Sequence, residues 1–143
     1  MKILLFGGAG QLGRDLSIRA EALNFPVVAP VISEIDISNA KQVSFLTNQV
    51  KPDLIINCAA YTFVDQAEQD RDAAFSSNAT GALNIAQAAK DNGSKLIHIS
   101  TDYVYDDSGN FPLTEDWPTN PQSVYGQSKL AGENSILEIY KEK

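Results

Sequence analysis

The chain contains 143 residues, of which 43% are hydrophobic and 20% are charged, and these values are typical of one soluble globular domain rather than a disordered segment. Eleven Lys and Arg against 18 Asp and Glu give a net charge of −7, which argues against nucleic acid or an anionic membrane as the main partner. One cysteine excludes an internal disulfide, and the N-terminal apolar run is too short for a signal peptide or a membrane span, so we expect a cytoplasmic protein.

Two short apolar segments and a helix between them open the predicted fold. The segment from Lys2 to Phe6 is brief, apolar and followed at once by glycines, which is typical of a buried strand. Residues 10–23 carry leucines at helical spacing. Residues 26–31 predict a second strand, because proline is tolerated at the first position of a strand. Residues 34–37 predict a third, short strand.

Further strands and helices follow in alternation. Ser38 or Asn39 is expected to cap a helix that Pro52 closes. The segment 53–57 then predicts a strand, and 71–91 predicts a long alanine-rich helix that Asn92 and Gly93 end. Another strand is expected over 95–100. The alternation predicts an α/β fold with a Rossmann-like, doubly wound parallel sheet.

The segment from Tyr103 to Thr119 interrupts this regular pattern. It contains two prolines and the one tryptophan of the chain. A loop of this length in a compact domain is more often functional or mobile than a tolerated surface insertion. After it, Asn120 is predicted to cap the last helix, with Pro121 at the first helical position.

The glycine-rich segment from Gly7 to Gly13 follows a predicted strand and opens a predicted helix. In that context the pattern indicates a dinucleotide fingerprint rather than an ordinary strand-to-helix turn. Gly7 permits the tight turn, Gly10 lets the backbone approach a pyrophosphate, and Gly13 lets the helix pack closely. The N–H groups of the helix N-terminus then face the phosphates.

The end of the second strand carries no clear choice of cofactor. Dinucleotide-binding folds often place an acidic residue there for the adenosine ribose, whereas this sequence has Pro30 with Ser33 and Glu34 a little later and no basic residue nearby. The sequence therefore selects neither NAD nor NADP. Asp36 and Ile37 have two open interpretations, a contact to adenine or a helix entry before Ser38.

Two further strands carry candidate residues with mainly structural interpretations, at 57–61 and at 98. The run Asn57-Cys58-Ala59-Ala60-Tyr61 lies where open α/β sheets bind ligands, and its small residues let backbone pass close to a cofactor. Cys58 has no base or metal ligand beside it and is interpreted as a buried small residue. His98 alternates with isoleucines and is interpreted as structural. No spacing of metal ligands stands out.

The sharpest candidate for chemistry combines Thr101 at a strand end with Tyr125 and Lys129 on the last helix. Residues four positions apart share one helix face. An ammonium group next to a phenol favours the phenolate and lowers its pKa, so such a pair can exchange a proton with a substrate oxygen while hydride moves at the adjacent carbon. Thr101 is expected to donate a hydrogen bond to the same oxygen.

Four segments together resemble the extended branch of the short-chain dehydrogenase/reductase superfamily, and more closely the dTDP-4-dehydrorhamnose reductase family. They span nearly the whole chain: 7–13, 57–68, 100–105 and 124–133. The resemblance implies NADPH- or NADH-dependent reduction of a nucleotide-linked 4-keto sugar in dTDP-rhamnose biosynthesis. It implies Tyr125 as general acid, Lys129 as its helper and ribose anchor, and Thr101 with Asp102 near the sugar carbonyl. The cofactor contacts that it implies are Gly7, Gly10, Gln11, Leu12, Asp36, Ile37, Ala60, Tyr61, Thr62, Tyr125 and Lys129.

Length separates the chain from this family, whose members are roughly twice as long. We therefore expect residues 1–143 to form the NAD(P)-binding domain, with the substrate-binding region absent. An alternative function is a non-catalytic binding module similar to the regulatory subunit of methionine adenosyltransferase. Beside a nucleotide sugar, a second copy of the chain is an expected partner, through the helices of 71–91 and 121–143.

Overall fold

The computed structural model describes residues 1–106 and 112–141. Within them, four strands form one parallel sheet in the order β2-β1-β3-β4. The strands are β1 (Ile3–Phe6), β2 (Val27–Val28), β3 (Leu54–Asn57) and β4 (Lys95–His98). The predicted Rossmann-like parallel sheet is confirmed.

Helices connect the strands and cover the sheet. They are α1 (Gln11–Ala22), α2 (Ala40–Val50), α3 (Val64–Ala67), α4 (Arg71–Phe75), α5 (Ala82–Asn92) and α6 (Val124–Tyr140). A π-helical segment, Ser76–Gly81, joins α4 to α5, and a 3₁₀ turn, Asp102–Val104, follows β4. No helix in the described part of the chain is both long enough and apolar enough to cross a membrane.

Two apolar layers, one on each face of the sheet, surround the strands, and a smaller cluster contains Ala67, Ala74 and Val124. Alternate strand residues point to opposite faces. Leu4, Phe6 and Ile55 pack with Val43 of α2 and Ile85 of α5. Ile3, Leu5 and Ile56 pack on the other face with Leu16 and Ala20 of α1. Because β1 is buried on both faces and paired on both edges, its carboxyl end is fixed firmly within the sheet.

The second strand and the segment after it differ from the prediction. The second strand covers only two residues, and residues 34–37 form turns rather than the predicted strand. Pro30 has no N–H for a strand ladder. The Glu34 carboxylate accepts the Val31 N–H at 2.9 Å, and the Asp36 carboxylate accepts the Ser38 N–H at 2.9 Å. Such local side-chain bonds compete with strand pairing.

Helix boundaries differ from the prediction at three places. The predicted long helix of 71–91 contains the π-helical segment, and α3 was not predicted at all. The last helix is capped by Ser123, whose hydroxyl accepts the Gly126 N–H at 3.0 Å, instead of Asn120, whose side chain donates to the Asp106 carboxylate at 3.4 Å. In contrast, Asn39 caps α2 and Gly93, with a φ of 72°, ends α5 as predicted.

The loop predicted over 103–119 is only partly described. It contains an isolated antiparallel bridge between Tyr105 and Thr119. Its residues 107–111 lie outside the described residues, as do residues 142 and 143 of the predicted last helix.

Candidate active site

A glycine cradle joins β1 to α1. Gly7 has a φ of +83°, which favours glycine, and a Cβ on Gly13 would lie 2.2 Å from the Gly7 carbonyl oxygen. Gly13 therefore lets the first turn of α1 lie directly against the end of β1. No side chain caps α1, so its first N–H groups remain available to an anion.

The cradle opens into a cleft of about 750 Å³, called the central cleft below. It lies at the carboxyl ends of the strands, where doubly wound sheets bind ligands. Ten predicted cofactor-binding residues line it: Gly7, Gly10, Gln11, Leu12, Asp36, Ile37, Ala60, Thr62, Tyr125 and Lys129. Residues far apart in sequence therefore meet in one cleft large enough for a cofactor.

Three predicted site residues are not among those that line the central cleft. Tyr61 donates its hydroxyl to Asp70 at 3.3 Å. The Thr101 hydroxyl donates to the Asp102 carboxylate at 3.3 Å and accepts the Tyr103 N–H at 3.3 Å. The predicted substrate pair, Thr101 and Asp102, thus makes local contacts beside the cleft.

Helix α6 brings Tyr125 and Lys129 to the cleft. Its start is fixed by Glu68, which accepts the Val124 N–H at 2.8 Å. Gly132 permits close packing, because a Cβ there would lie 2.2 Å from the Asn78 carbonyl oxygen. The first turns of α6 are therefore anchored by the segments that follow β3.

Lys129 is a buried cation, with 2% of its surface exposed. Its ammonium group donates to the Ile99 carbonyl at 2.6 Å. Burial lowers the pKa of Lys129, while the charges of Glu133 and Cys58 act in the opposite direction. Burial also raises the pKa of the Cys58 thiol, so the structure gives no indication of a reactive thiolate at this cleft-lining cysteine.

His98 lies below the cleft, at the end of β4. The Asn57 side-chain oxygen accepts the Ala59 N–H at 3.0 Å, which leaves the Asn57 NH₂ group to donate to His98 Nδ1 at 3.0 Å. Nε2 then carries the ring proton, and it is buried without a hydrogen-bond partner in the described residues. Burial and the nearby Lys129 lower the pKa of His98 to about 4, so the ring is neutral at pH 7.

Asn78 is the polar residue that the sequence reasoning missed. It is 2% exposed, its amide oxygen accepts the Tyr61 N–H at 2.9 Å, and its NH₂ group donates to the Tyr61 carbonyl at 3.1 Å and to Ser128 at 2.9 Å. It thereby joins α6 to the loop after β3. A signal was present in the sequence, since five of the six residues in 76–81 are poor helix formers inside an alanine-rich helix.

Asp36 combines features of both interpretations that the sequence left open. It lines the central cleft, and its carboxylate accepts both the N–H and the hydroxyl of Ser38, at 2.9 and 2.7 Å. Asn39, rather than Asp36, caps α2. Among the described residues, no three His, Cys, Asp or Glu side chains are grouped closely enough to hold a metal ion.

Comparison with known proteins gives one family over the whole chain. The family model described as the RmlD substrate binding domain matches residues 1–143. Among curated proteins, the dTDP-4-dehydrorhamnose reductase of Escherichia coli is 41% identical over 141 residues, which are 96% of this chain and 47% of that protein.

Solved structures give the same relationship. A crystal structure of a dTDP-4-dehydrorhamnose reductase from Clostridium acetobutylicum has a TM-score of 0.94 and 42% identity, over 97% of this chain and 50% of that one. The Bacillus anthracis dTDP-4-dehydrorhamnose reductase in complex with NADP has a TM-score of 0.93 and 38% identity, over 96% and 49%. The chain spans about half the length of these relatives.

Proposed function

The chain belongs to the family of dTDP-4-dehydrorhamnose reductases, and we propose that it provides the NAD(P)H-binding half of a reductase of a nucleotide-linked 4-keto sugar. One observation carries the proposal. The glycine cradle and the Tyr125–Lys129 pair line the same cleft, although more than 100 residues separate them in sequence. A dinucleotide that lies with its pyrophosphate on the cradle reaches along this cleft toward the tyrosine.

The cradle fits a dinucleotide on structural grounds. Gly10 lines the cleft, a Cβ there would have only the Gly7 carbonyl oxygen within 4 Å, and the N–H groups at the start of α1 are not capped. The bound cofactor supplies a hydride for the carbonyl carbon of the sugar. Gly10, Gln11 and Leu12 hold the pyrophosphate, and Ala60 and Thr62, which also line the cleft, contact the cofactor.

Tyr125 is the proposed general acid, which gives its phenolic proton to the carbonyl oxygen of the sugar. Lys129 supports this transfer by its positive charge and also holds the ribose beside the nicotinamide. In the structure its ammonium group is bound to the Ile99 carbonyl, so it is held at the cleft before a ligand arrives. Thr101 and Asp102 contact the sugar, whose site is completed by the part of the relatives that this chain does not cover.

The direct test separates binding from turnover. Calorimetric titration of the chain with NADH and NADPH should show saturable binding of at least one. A chimera joining this chain to the remaining half of the Clostridium acetobutylicum enzyme should then oxidise the bound cofactor when a dTDP-linked 4-keto sugar is added. Absence of binding contradicts the proposal. Binding without turnover in a folded chimera instead favours a non-catalytic NAD(P)-binding module.

We also propose that the chain associates with a second copy of itself. The helices of 71–91 and 121–143 pack on each other. Even so, Leu83 of α5 is 41% exposed, Ile97 of β4 is 48% exposed and Leu137 of α6 is 62% exposed. Sedimentation velocity at increasing concentration should show dimers, and Leu137→Lys should weaken them. A monomer at all concentrations contradicts this proposal.

A further inference from the structure

Two side chains of α6 are bound to adjacent residues that follow β4. Lys129 donates to the Ile99 carbonyl at 2.6 Å, and the Glu133 carboxylate accepts a hydrogen bond from the Ser100 hydroxyl. Ile99, Ser100 and Lys129 line the central cleft, whereas Glu133 is not among its lining residues. The two contacts therefore connect the cleft to a carboxylate that does not itself line it.

Glu133 lies one helical turn after Lys129. Residues four positions apart share one face of a helix, and α6 is helical from Val124 to Tyr140. Glu133 is half-buried, so water screens its charge less than it screens that of a surface carboxylate. The Ser100 hydroxyl fixes the carboxylate beside the segment that also receives Lys129. Two opposite charges are thus held to neighbouring residues of one strand end.

Lys129 requires compensation because its positive charge is buried. An ammonium group loses hydration on burial, and hydrogen bonds and an opposite charge must make up for that loss. The Ile99 carbonyl supplies one hydrogen bond. Burial lowers the pKa of Lys129, and the charge of Glu133 is the larger of the two effects that oppose this change. Glu133 therefore favours the protonated form of Lys129.

Two titratable groups besides Glu133 interact with Lys129, and both are neutral at pH 7. Burial raises the pKa of the Cys58 thiol after β3, and burial lowers that of His98 on β4 to about 4. Tyr125 lines the same cleft from the preceding turn of α6. The other elements packed on α6 carry charged residues of which none lines the cleft: Asp65, Arg71, Asp72, Lys90, Asp91 and Asp102. Glu133 is therefore the charged group that acts on Lys129 near neutral pH.

We propose that Glu133 is a positioning residue of the reductase site, which holds the end of β4 through Ser100 and compensates the charge of Lys129. The inference rests on the proposed function, because it concerns the lysine that supports Tyr125 and holds the ribose. Glu133 acts through Lys129 and Ser100 and contacts neither cofactor nor sugar. Without its charge, Lys129 should lose its proton at a lower pH.

The charge of Lys129 can be followed without any cofactor. NMR of the chain, isotope-labelled at lysine Cε, gives the titration midpoint of each lysine, and Lys129→Arg identifies the signal of Lys129. Glu133→Gln keeps an oxygen that accepts from Ser100 but removes the charge, so the Lys129 midpoint should move to lower pH. Glu138 pairs with Lys141 near the end of the same helix. Glu138→Gln is therefore the matched control and should leave the Lys129 midpoint in place.

Ser100→Ala tests how the carboxylate is held. This variant removes the hydroxyl and retains the charge of Glu133, which is then free to turn toward water. The Lys129 midpoint should move in the same direction as in Glu133→Gln, but by less. A role of Glu133 in stability alone would lower Tm in these variants and leave the midpoint of Lys129 unchanged.

Cofactor binding connects this charge to the site. Calorimetric titration with NADH and NADPH at several pH values gives the dissociation constants of the unmodified chain and of Glu133→Gln. Their ratio should be near one where Lys129 is charged in both proteins. It should rise to about tenfold where Lys129 is charged only in the unmodified chain. Glu138→Gln should show no such rise.

The outcomes separate the two proposals. If Lys129 titrates at the same or a higher pH in Glu133→Gln, the inference is wrong, whether or not a cofactor binds. If Ser100→Ala leaves the midpoint unchanged, the hydroxyl does not hold the carboxylate and the role given to Ser100 is wrong. If the midpoint falls in Glu133→Gln but cofactor affinity is unchanged at every pH, the charge has no role in the site and the inference is overturned. If the unmodified chain binds neither cofactor, the proposed function fails, and the midpoint of Lys129 still shows whether Glu133 compensates its charge.

Discussion

The ammonium group of Lys129 donates a 2.6 Å hydrogen bond to the carbonyl oxygen of Ile99, a residue 30 positions earlier in the chain. The bond joins α6 to the segment directly after β4, at the edge of the central cleft. It also places a positive charge close to His98, whose ring lies at the end of the same strand. The residue proposed to hold the ribose is thus fixed by the sheet.

Gly10 is the position where cofactor binding can be removed without loss of the fold. A Cβ there would lie 3.3 Å from the Gly7 carbonyl, which a small shift relieves, whereas one at Gly13 would lie 2.2 Å from it. Cofactor at 100 times its dissociation constant should stabilise the chain by roughly 2.7 kcal/mol and raise Tm by a few degrees. Gly10→Leu should abolish this shift and leave Tm without ligand nearly unchanged.

The matched variant at Gly13 gives the control. Gly13→Ala should lower Tm without any ligand, because the methyl group meets backbone that cannot move away. If Gly10→Leu binds cofactor as tightly as the unmodified chain, the glycine cradle is not the pyrophosphate site.

Asn78 should contribute more to stability than a surface asparagine. Its replacement by Ala removes three hydrogen bonds to Tyr61 and Ser128 and takes away the partner of the partly buried Tyr61 N–H, which costs about 2–3 kcal/mol. Asn48, on the exposed side of α2, makes only a 3.4 Å contact to Ser44. Asn48→Ala should therefore change the free energy of unfolding by less than about 0.5 kcal/mol in urea titrations. Equal losses for both variants would contradict the role given to Asn78.

The strands and the cleft were predictable where local sequence and tertiary structure agree. The run from Lys2 to Phe6 is apolar throughout and is buried on both faces, and the glycines after it form the predicted cradle. Tyr125 and Lys129 share a helix face by their spacing alone, and that face does line the cleft.

The errors arose where side chains outside the local pattern decide the structure. The segment 34–37 has the composition of a strand, but Glu34 and Asp36 fold it into turns by bonds to nearby backbone. Asn120 resembles a helix cap, but Ser123 caps α6 and the Asn120 side chain donates to Asp106, a partner that sequence does not reveal. Thr101 stays a predicted substrate contact, and its hydroxyl makes local hydrogen bonds beside the cleft.

His98 should make the chain less stable as the pH falls from about 6.5 to about 4. Burial lowers the pKa of the folded-state imidazole from 6.5 to about 4, so in this range the unfolded chain binds a proton that the folded chain does not. The contribution is fully present above pH 6.5 and is lost on acidification. It amounts to at most about 3–4 kcal/mol, and to less where water screens the ring.

Because the chain contains one histidine, a difference caused by an imidazole can be assigned to His98. The free energy of unfolding, measured in urea at several pH values, should fall less steeply between pH 6.5 and 4 in His98→Gln than in the unmodified chain. Carboxylate titration contributes equally to both proteins and cancels in the comparison. Identical slopes would show that His98 is protonated as easily in the folded chain as in the unfolded chain.

Tyr125→Phe tests the proposed chemistry, in the chimera with the remaining half of the Clostridium acetobutylicum enzyme. The change removes only the phenolic hydroxyl, so the ring keeps its edge-to-face contact with Tyr103, at 5.5 Å between centroids. General acid catalysis contributes roughly 10²–10⁴-fold, and kcat should fall by about that factor. The Kd for cofactor should stay within about twofold of its value in the unmodified chimera, because an interaction made only in the transition state affects kcat and not cofactor binding. Tyr103→Phe removes a hydroxyl from the other member of the aromatic pair, which does not line the cleft, and should retain kcat. A Tyr125→Phe chimera with undiminished kcat would exclude this tyrosine as the proton donor.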